Sequence, residues 1–301
     1  MNKRAFLLFV MLCVVGCGAN PPGDEKSDIA QVASEVSAAP QVKRIALSTG
    51  VTLNYLEQGA PYGAPVIFLH GFTASHRHFD LNLPIFPREF HVFALDLRGH
   101  GDSDKPDCCY SHADFVADVI AFMDALSLHC VSLVGHSMGS LIAHEIAVDY
   151  PDRVKKLVLM GSAPTAVGSP STPPLQMLVA GLSDPIDPGF VRQFEKSIFY
   201  GPVPDSFIDT ATAETLKIPA AIWKKVVAGI TTEDHSAELP NIRAPTLLMW
   251  GDKDTIFSES DQEKLLALIP DSRLIVFPQT GHGLHVEHPR ETVLDIAGFL
   301  R

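Results

Sequence analysis

Residues 133–140 read LVGHSMGS. An apolar run leads into Gly135, His136, Ser137, Met138 and Gly139, and an amphipathic stretch begins at once behind them. A serine between two glycines occurs by chance in many loops, so the flanks decide its meaning. Here the apolar run predicts a strand ending at His136, and the periodicity predicts a helix starting at about Met138. Ser137 then sits on the turn itself. A turn that sharp cramps the backbone, so the residues two places to either side must be tiny, as Gly135 and Gly139 are. The helix N-terminus lies beneath the serine and offers free amides to an anion. Residue type and placement together point to a nucleophilic serine, which needs a base, and the base needs an orienting acid.

The base candidate is His282, in TGHGLHVEHP (280–289) behind the last apolar run. His285 and His288 follow at intervals of three, which raises a metal reading. Gly281, Gly283 and Pro289 oppose one rigid helix presenting all three, and no carboxylates are arranged around them. His285 and His288 therefore read as ordinary loop or surface histidines, and no metal is assigned. The acid should follow a strand between serine and histidine. Behind VKKLVLMGSAP (154–164) no acidic residue occurs until Asp184, whereas PTLLMW (245–250) runs into Gly251-Asp252-Lys253-Asp254. That turn offers two carboxylates.

Around these stretches, 42–48 and 51–58 alternate about Thr49-Gly50 and predict an opening hairpin. The runs 65–71, 91–99, 130–137, 154–162, 245–252 and 273–281 are short and largely apolar. Continuous apolar strands are what a parallel sheet covered on both faces requires. Helical periods lie between them at 113–126, 140–150, 261–269 and 291–300. Alternating strand and helix predicts an α/β fold with a doubly wound, mostly parallel sheet. One connection, about 164–240, is far longer than a normal crossover and shows helix-like pieces but no convincing strand. It reads as a helical cap inserted between two core strands.

With these motifs in place, the chain resembles the α/β-hydrolase superfamily, in its capped, esterase-like members, over about 42–301. The resemblance is carried by His70-Gly71-Phe72, by Asp96-Leu97-Arg98-Gly99-His100-Gly101-Asp102-Ser103, by GHSMG, by WGDKD and by GHGLHVEHP. It implies the order Ser137, acid, His282, and its Gly-x-x-Asp pattern maps the acid to Asp254, with Asp252 a turn residue. It further implies an oxyanion hole made by the backbone N–H groups of Phe72 and Met138. Asp96, Arg98, His100 and Ser103 are expected to hold the loop behind their strand. Family members commonly carry a third glycine after GHSMG; here the residue is Ser140.

The first residues stand apart. Lys3 and Arg4 precede an eleven-residue apolar run, too short to cross a hydrocarbon core that needs about 20 residues but suited to an export signal. The run ends in Val14-Val15-Gly16-Cys17, which resembles the bacterial lipobox. That resemblance implies removal of 1–16, lipidation of Cys17 and attachment to a membrane, with Gly18 rather than Asp favouring the outer membrane. Residues 17–40 are rich in Pro, Gly, Ser, Ala and charge and read as a flexible linker, which leaves 41–301 as the hydrolase domain. Net charge −12 over 301 residues argues against nucleic acid as a partner. Adjacent Cys108 and Cys109 are not expected to form an ordinary cross-link, and Cys130, at the start of a strand, is expected to be a buried thiol.

The activity expected from all this is hydrolysis of small to medium apolar carboxylic esters through an acyl-enzyme on Ser137, without a cofactor. On the same fold a lactonase, a perhydrolase and a carbon–carbon bond hydrolase are alternatives, and a non-catalytic binding lipoprotein is an alternative of another class.

Overall fold

The computed structural model describes residues 38–301. The export signal, Cys17 and nearly all of the expected linker lie outside the described residues. Eight strands form one sheet: β1 (Ala38–Ala46), β2 (Thr52–Gly59), β3 (Ala64–Leu69), β4 (Phe90–Leu95), β5 (Val131–His136), β6 (Val154–Met160), β7 (Thr246–Gly251) and β8 (Ser272–Phe277). Their order is β1-β2-β4-β3-β5-β6-β7-β8. Only β2 runs against its neighbours; from β4 through β8 every pairing is parallel.

The unbroken apolar strands are explained by what covers them. Consecutive residues of β3 enter different cores: Ile67 and Leu69 join the one beneath α1 (His112–Ala125) and α2 (Met138–Asp149), while Val66 and Phe68 join the one beneath α9 (Pro289–Leu300). The same alternation holds along β6, with Leu157 and Leu159 on one side and Val158 and Met160 on the other. A parallel sheet buried on both faces needs apolar residues at every position. The remaining core helices are α7 (Glu259–Leu268) and the single turn α8 (Leu284–Glu287). Ser111 and Ser258 start α1 and α7 through capping boxes with Asp114 and Asp261.

Between β6 and β7 the cap consists of four helices, α3 (Thr172–Ala180), α4 (Pro188–Lys196), α5 (Asp205–Thr215) and α6 (Ala220–Ile230), with no strand among them. Proline stands in the first turn of α3 and α4 and at the cap position of α5 and α6, where its missing N–H costs nothing. The cap is seated by Trp223 of α6, fully buried, edge-on to Phe72 of the core at 5.3 Å and 5.2 Å from Phe194 of α4.

The loop behind β4 is held as its residues suggest. Buried Asp96 accepts from His76 N and Nδ1, Asn54 Nδ2 and Asp102 N, and its carbonyl accepts from Ser103 Oγ. Burial alone would raise its pKa, but these donors hold the carboxyl well below the usual range. Arg98 forks onto Asp118 of α1 with two bonds of 2.6 Å.

One cysteine expectation fails, that for Cys130. Cys130 is exposed, because β5 becomes buried only from Val131 onward. Cys108 and Cys109 are disulfide-bonded to each other, at a turn where Cys109 takes the left-handed φ of 75°.

Candidate active site

Ser137 occupies the turn between β5 and α2 with φ 52° and ψ −121°, a conformation that side-chain-bearing residues rarely take. The local sequence makes this turn possible. A Cβ on Gly135 would overlap the Gly139 carbonyl, and one on Gly139 would overlap the Leu69 carbonyl. Ser140, in place of a third glycine, is buried and donates its hydroxyl to the Ser137 carbonyl at 2.6 Å.

His282 follows β8 and is buried, and its Nδ1 stands 2.7 Å from Asp254 Oδ2. Asp254, not Asp252, therefore meets the imidazole. Its other oxygen accepts from the amides of Ile256 (2.7 Å) and Phe257 (3.1 Å), so both carboxylate oxygens are fixed and the side chain is fully buried. Asp252 points elsewhere, toward Lys253 and Thr280 N. A carboxylate only accepts, so His282 Nδ1 carries the proton and Nε2 is left with its lone pair. Gly161, at the end of β6, has φ 50°, and a Cβ there would stand 3.0 Å from His282 Nδ1 and Cε1.

Ser137 and His282 line one cavity. No hydrogen bond joins their side chains among the described residues; such bonds often tighten only when substrate binds. The loop carrying Phe72 approaches closely, since a Cβ on Gly71 would lie 3.2 Å from Ser137 Cβ. His70 fixes that loop. Its Nε2 accepts from Leu97 N (3.0 Å), so its Nδ1 donates to the Gly71 carbonyl (2.7 Å), and burial pushes its pKa down to about 4. Among the described residues the amides of Phe72 and Met138 donate to no other protein group.

The cavity measures about 140 Å³ and is walled by both core and cap, with Phe72, Leu141, Leu175, Phe194, Ile230 and Ile256 supplying its apolar surface. His285, expected in a loop or at the surface, is instead fully buried, and His288 is half-buried. His285 Nε2 pairs with His78 Nδ1 at 3.1 Å, and the His136 ring lies 4.4 Å from its own. Burial drives all three well below the usual imidazole range, His78 to about 3, so they form a neutral aromatic wall beside the site.

One residue escaped sequence reading. Glu195, on α4, looks like a solvent-facing helix position, yet it is buried against this cavity. Its Oε1 accepts from Thr215 Oγ1 (2.7 Å) and, more weakly, Thr73 Oγ1 (3.4 Å). Burial raises its pKa to about 7 from an ordinary 4.5, against the opposing pull of the two hydroxyls. The folded chain thus keeps a proton that the unfolded chain releases. The associated stability is complete below pH 4.5 and is lost as pH rises through 7, a change of about 3 kcal/mol. Urea unfolding at pH 5 and pH 8 should show Glu195→Gln gaining on the wild type by most of this amount at the higher pH. A gap that does not move with pH would exclude an ionising Glu195.

The model of the alpha/beta hydrolase family matches residues 66–296. Over 248 residues the chain is 30% identical to the AB hydrolase superfamily protein YisY of Bacillus subtilis, covering 79% of this chain and 92% of that protein. It is 26% identical over 275 residues to Lipase 3 of a Moraxella species, covering 86% and 84%. Among solved structures, an esterase from Exiguobacterium antarcticum superposes with a TM-score of 0.78 at 24% identity, covering 86% of this chain and 99% of its own, and shares the fold. Sheet order, a serine on the turn behind β5 and a matched span of this length agree: the chain belongs to the α/β-hydrolase family and is a hydrolase.

Proposed function

We propose that the protein is a serine carboxylesterase for small to medium apolar acyl esters. The observation that carries this reading is the His282–Asp254 pair, set with a strained Ser137 in one apolar cavity. Ser137 Oγ attacks the ester carbonyl while His282 Nε2 takes its proton. Asp254 keeps the other ring proton in place and stabilises the imidazolium. The amides of Phe72 and Met138 receive the oxyanion, each contributing about 3 kcal/mol to the transition state. Collapse breaks the bond to the alkoxy oxygen, and His282 returns the proton to the departing alcohol. Water, deprotonated by the same imidazole, then attacks the acyl-enzyme and releases the carboxylic acid. Atoms and charge balance on these residues and water. A lipase among the relatives supports ester chemistry, and the apolar wall of the cavity supports an uncharged acyl group.

A panel of nitrophenyl esters and lactones of graded chain length tests the proposal. Acetate to hexanoate esters should give the highest kcat/KM, because a cavity of about 140 Å³ beneath a compact cap leaves little room for longer chains. Faster turnover of a lactone, or of emulsified long-chain triglyceride, would replace this reading with another on the same fold.

A further inference from the structure

We propose that His112, Glu145 and His235 form a binding site for a divalent transition metal of the zinc class, which clamps the cap's return segment to the core. His112 opens α1, Glu145 lies in the middle of α2, and His235 stands five residues beyond the end of α6. One donor atom from each lies within 4.8 Å of the others. Glu145 Oε2 is 3.0 Å from His112 Nδ1 and 3.6 Å from His235 Nδ1. Around a tetrahedral ion with bonds of about 2.0–2.1 Å, neighbouring donors stand about 3.4 Å apart, so the observed separations straddle the required edge.

Charge points the same way. Glu145 is buried, and among the described residues no lysine or arginine pairs with it. Glu233 accepts from the His112 amide at 3.0 Å, and Asp149 lies one turn beyond Glu145 on the same face of α2. Asp149 is exposed and Glu233 half-buried, so the cost of burying a carboxylate without a fixed cation falls on Glu145. One outer contact is also that of a metal site, at His235, whereas the buried Nε2 of His112 has no partner among the described residues. His235 Nε2 is held by His144 Nδ1 at 3.1 Å, which turns Nδ1 toward Glu145. Two imidazoles and one carboxylate suit zinc and its neighbours, not magnesium or calcium. The side chains of His235 and Glu145 are 16% and 11% exposed, which leaves an entry path and room for a solvent ligand. The triad of His78, His136 and His285 lacks these features, being fully buried with no carboxylate ligand in the group.

The test uses the purified full chain, treated with chelator and desalted, and reads calorimetric binding and Tm rather than turnover. Zinc chloride should bind one ion per chain with micromolar or tighter affinity and raise Tm by about 5 °C at saturation. His235→Ala and Glu145→Gln should each weaken zinc binding at least about tenfold and abolish the rise, while His129→Ala, at an exposed position, should change neither. Magnesium and calcium should leave Tm unmoved. The proposal is overturned if no single-site binding is seen up to 100 µM zinc (roughly a hundredfold above the expected Kd). It also falls if both site variants bind zinc as the wild type does, or if calcium raises Tm equally.

Discussion

Ser137→Ala should lower ester turnover by roughly 10⁴–10⁶-fold, with circular dichroism and Tm little changed. The hydroxyl is the attacking atom in the proposed mechanism, and alanine keeps the Cβ while removing only that oxygen. What activity remains comes from the oxyanion amides and substrate binding. His282→Ala should cost about as much, because nucleophile and base act as one unit, and the double variant should lose little more than either single one. A second substitution separates chemistry from strain. Ser137→Gly should be equally inactive yet more resistant to urea than Ser137→Ala, by about 1–2 kcal/mol, since glycine adopts φ 52° without penalty. Ester turnover persisting in Ser137→Ala within tenfold of wild type would remove Ser137 from the mechanism.

Asp254→Asn should reduce kcat by about 10⁴-fold with little change in KM. The asparagine amide still takes the Ile256 and Phe257 N–H groups on its oxygen, but it turns an NH₂ toward His282 Nδ1. The ring must then carry its proton on Nε2, the atom that should accept from Ser137. Asp252→Asn should stay within a few-fold of wild type, because that carboxylate faces Lys253 and the backbone of Gln279 and Thr280 rather than His282. Steady-state kinetics on a soluble butyrate ester decide the matter; a larger loss from Asp252→Asn than from Asp254→Asn would reverse the assignment.

What could be read from the chain alone is what short-range chemistry imposes. The strand–turn–helix at Ser137 needs two glycines within five residues, so its geometry is written locally. The cap was legible as a crossover too long for its task and punctuated by proline. Features set by distant partners were not legible. Glu195 lies between Phe194 and Lys196 on a helix with an exposed face, and only the approach of Thr73 and Thr215 makes its burial tolerable. His285 looked like a loop histidine until His78, more than two hundred residues earlier, closed over it. His112, Glu145 and His235 are too scattered for any ligand spacing to register. Cys130 misled because a strand's apolar run was extended one residue too far.

Gly161 carries a consequence for how such a protein can change over evolutionary time. Its left-handed φ and the imidazole resting 3.0 Å from where a Cβ would stand are two separate barriers to the same substitution. A lineage descending from this chain cannot place another residue at position 161 without straining the backbone and shifting His282, so that position is closed to supplying an acid. The carboxylate comes instead from the turn behind β7, at Asp254. The cap that begins just behind Gly161 is freer to vary, and new substrate preferences can be tried there while the residues beneath stay fixed.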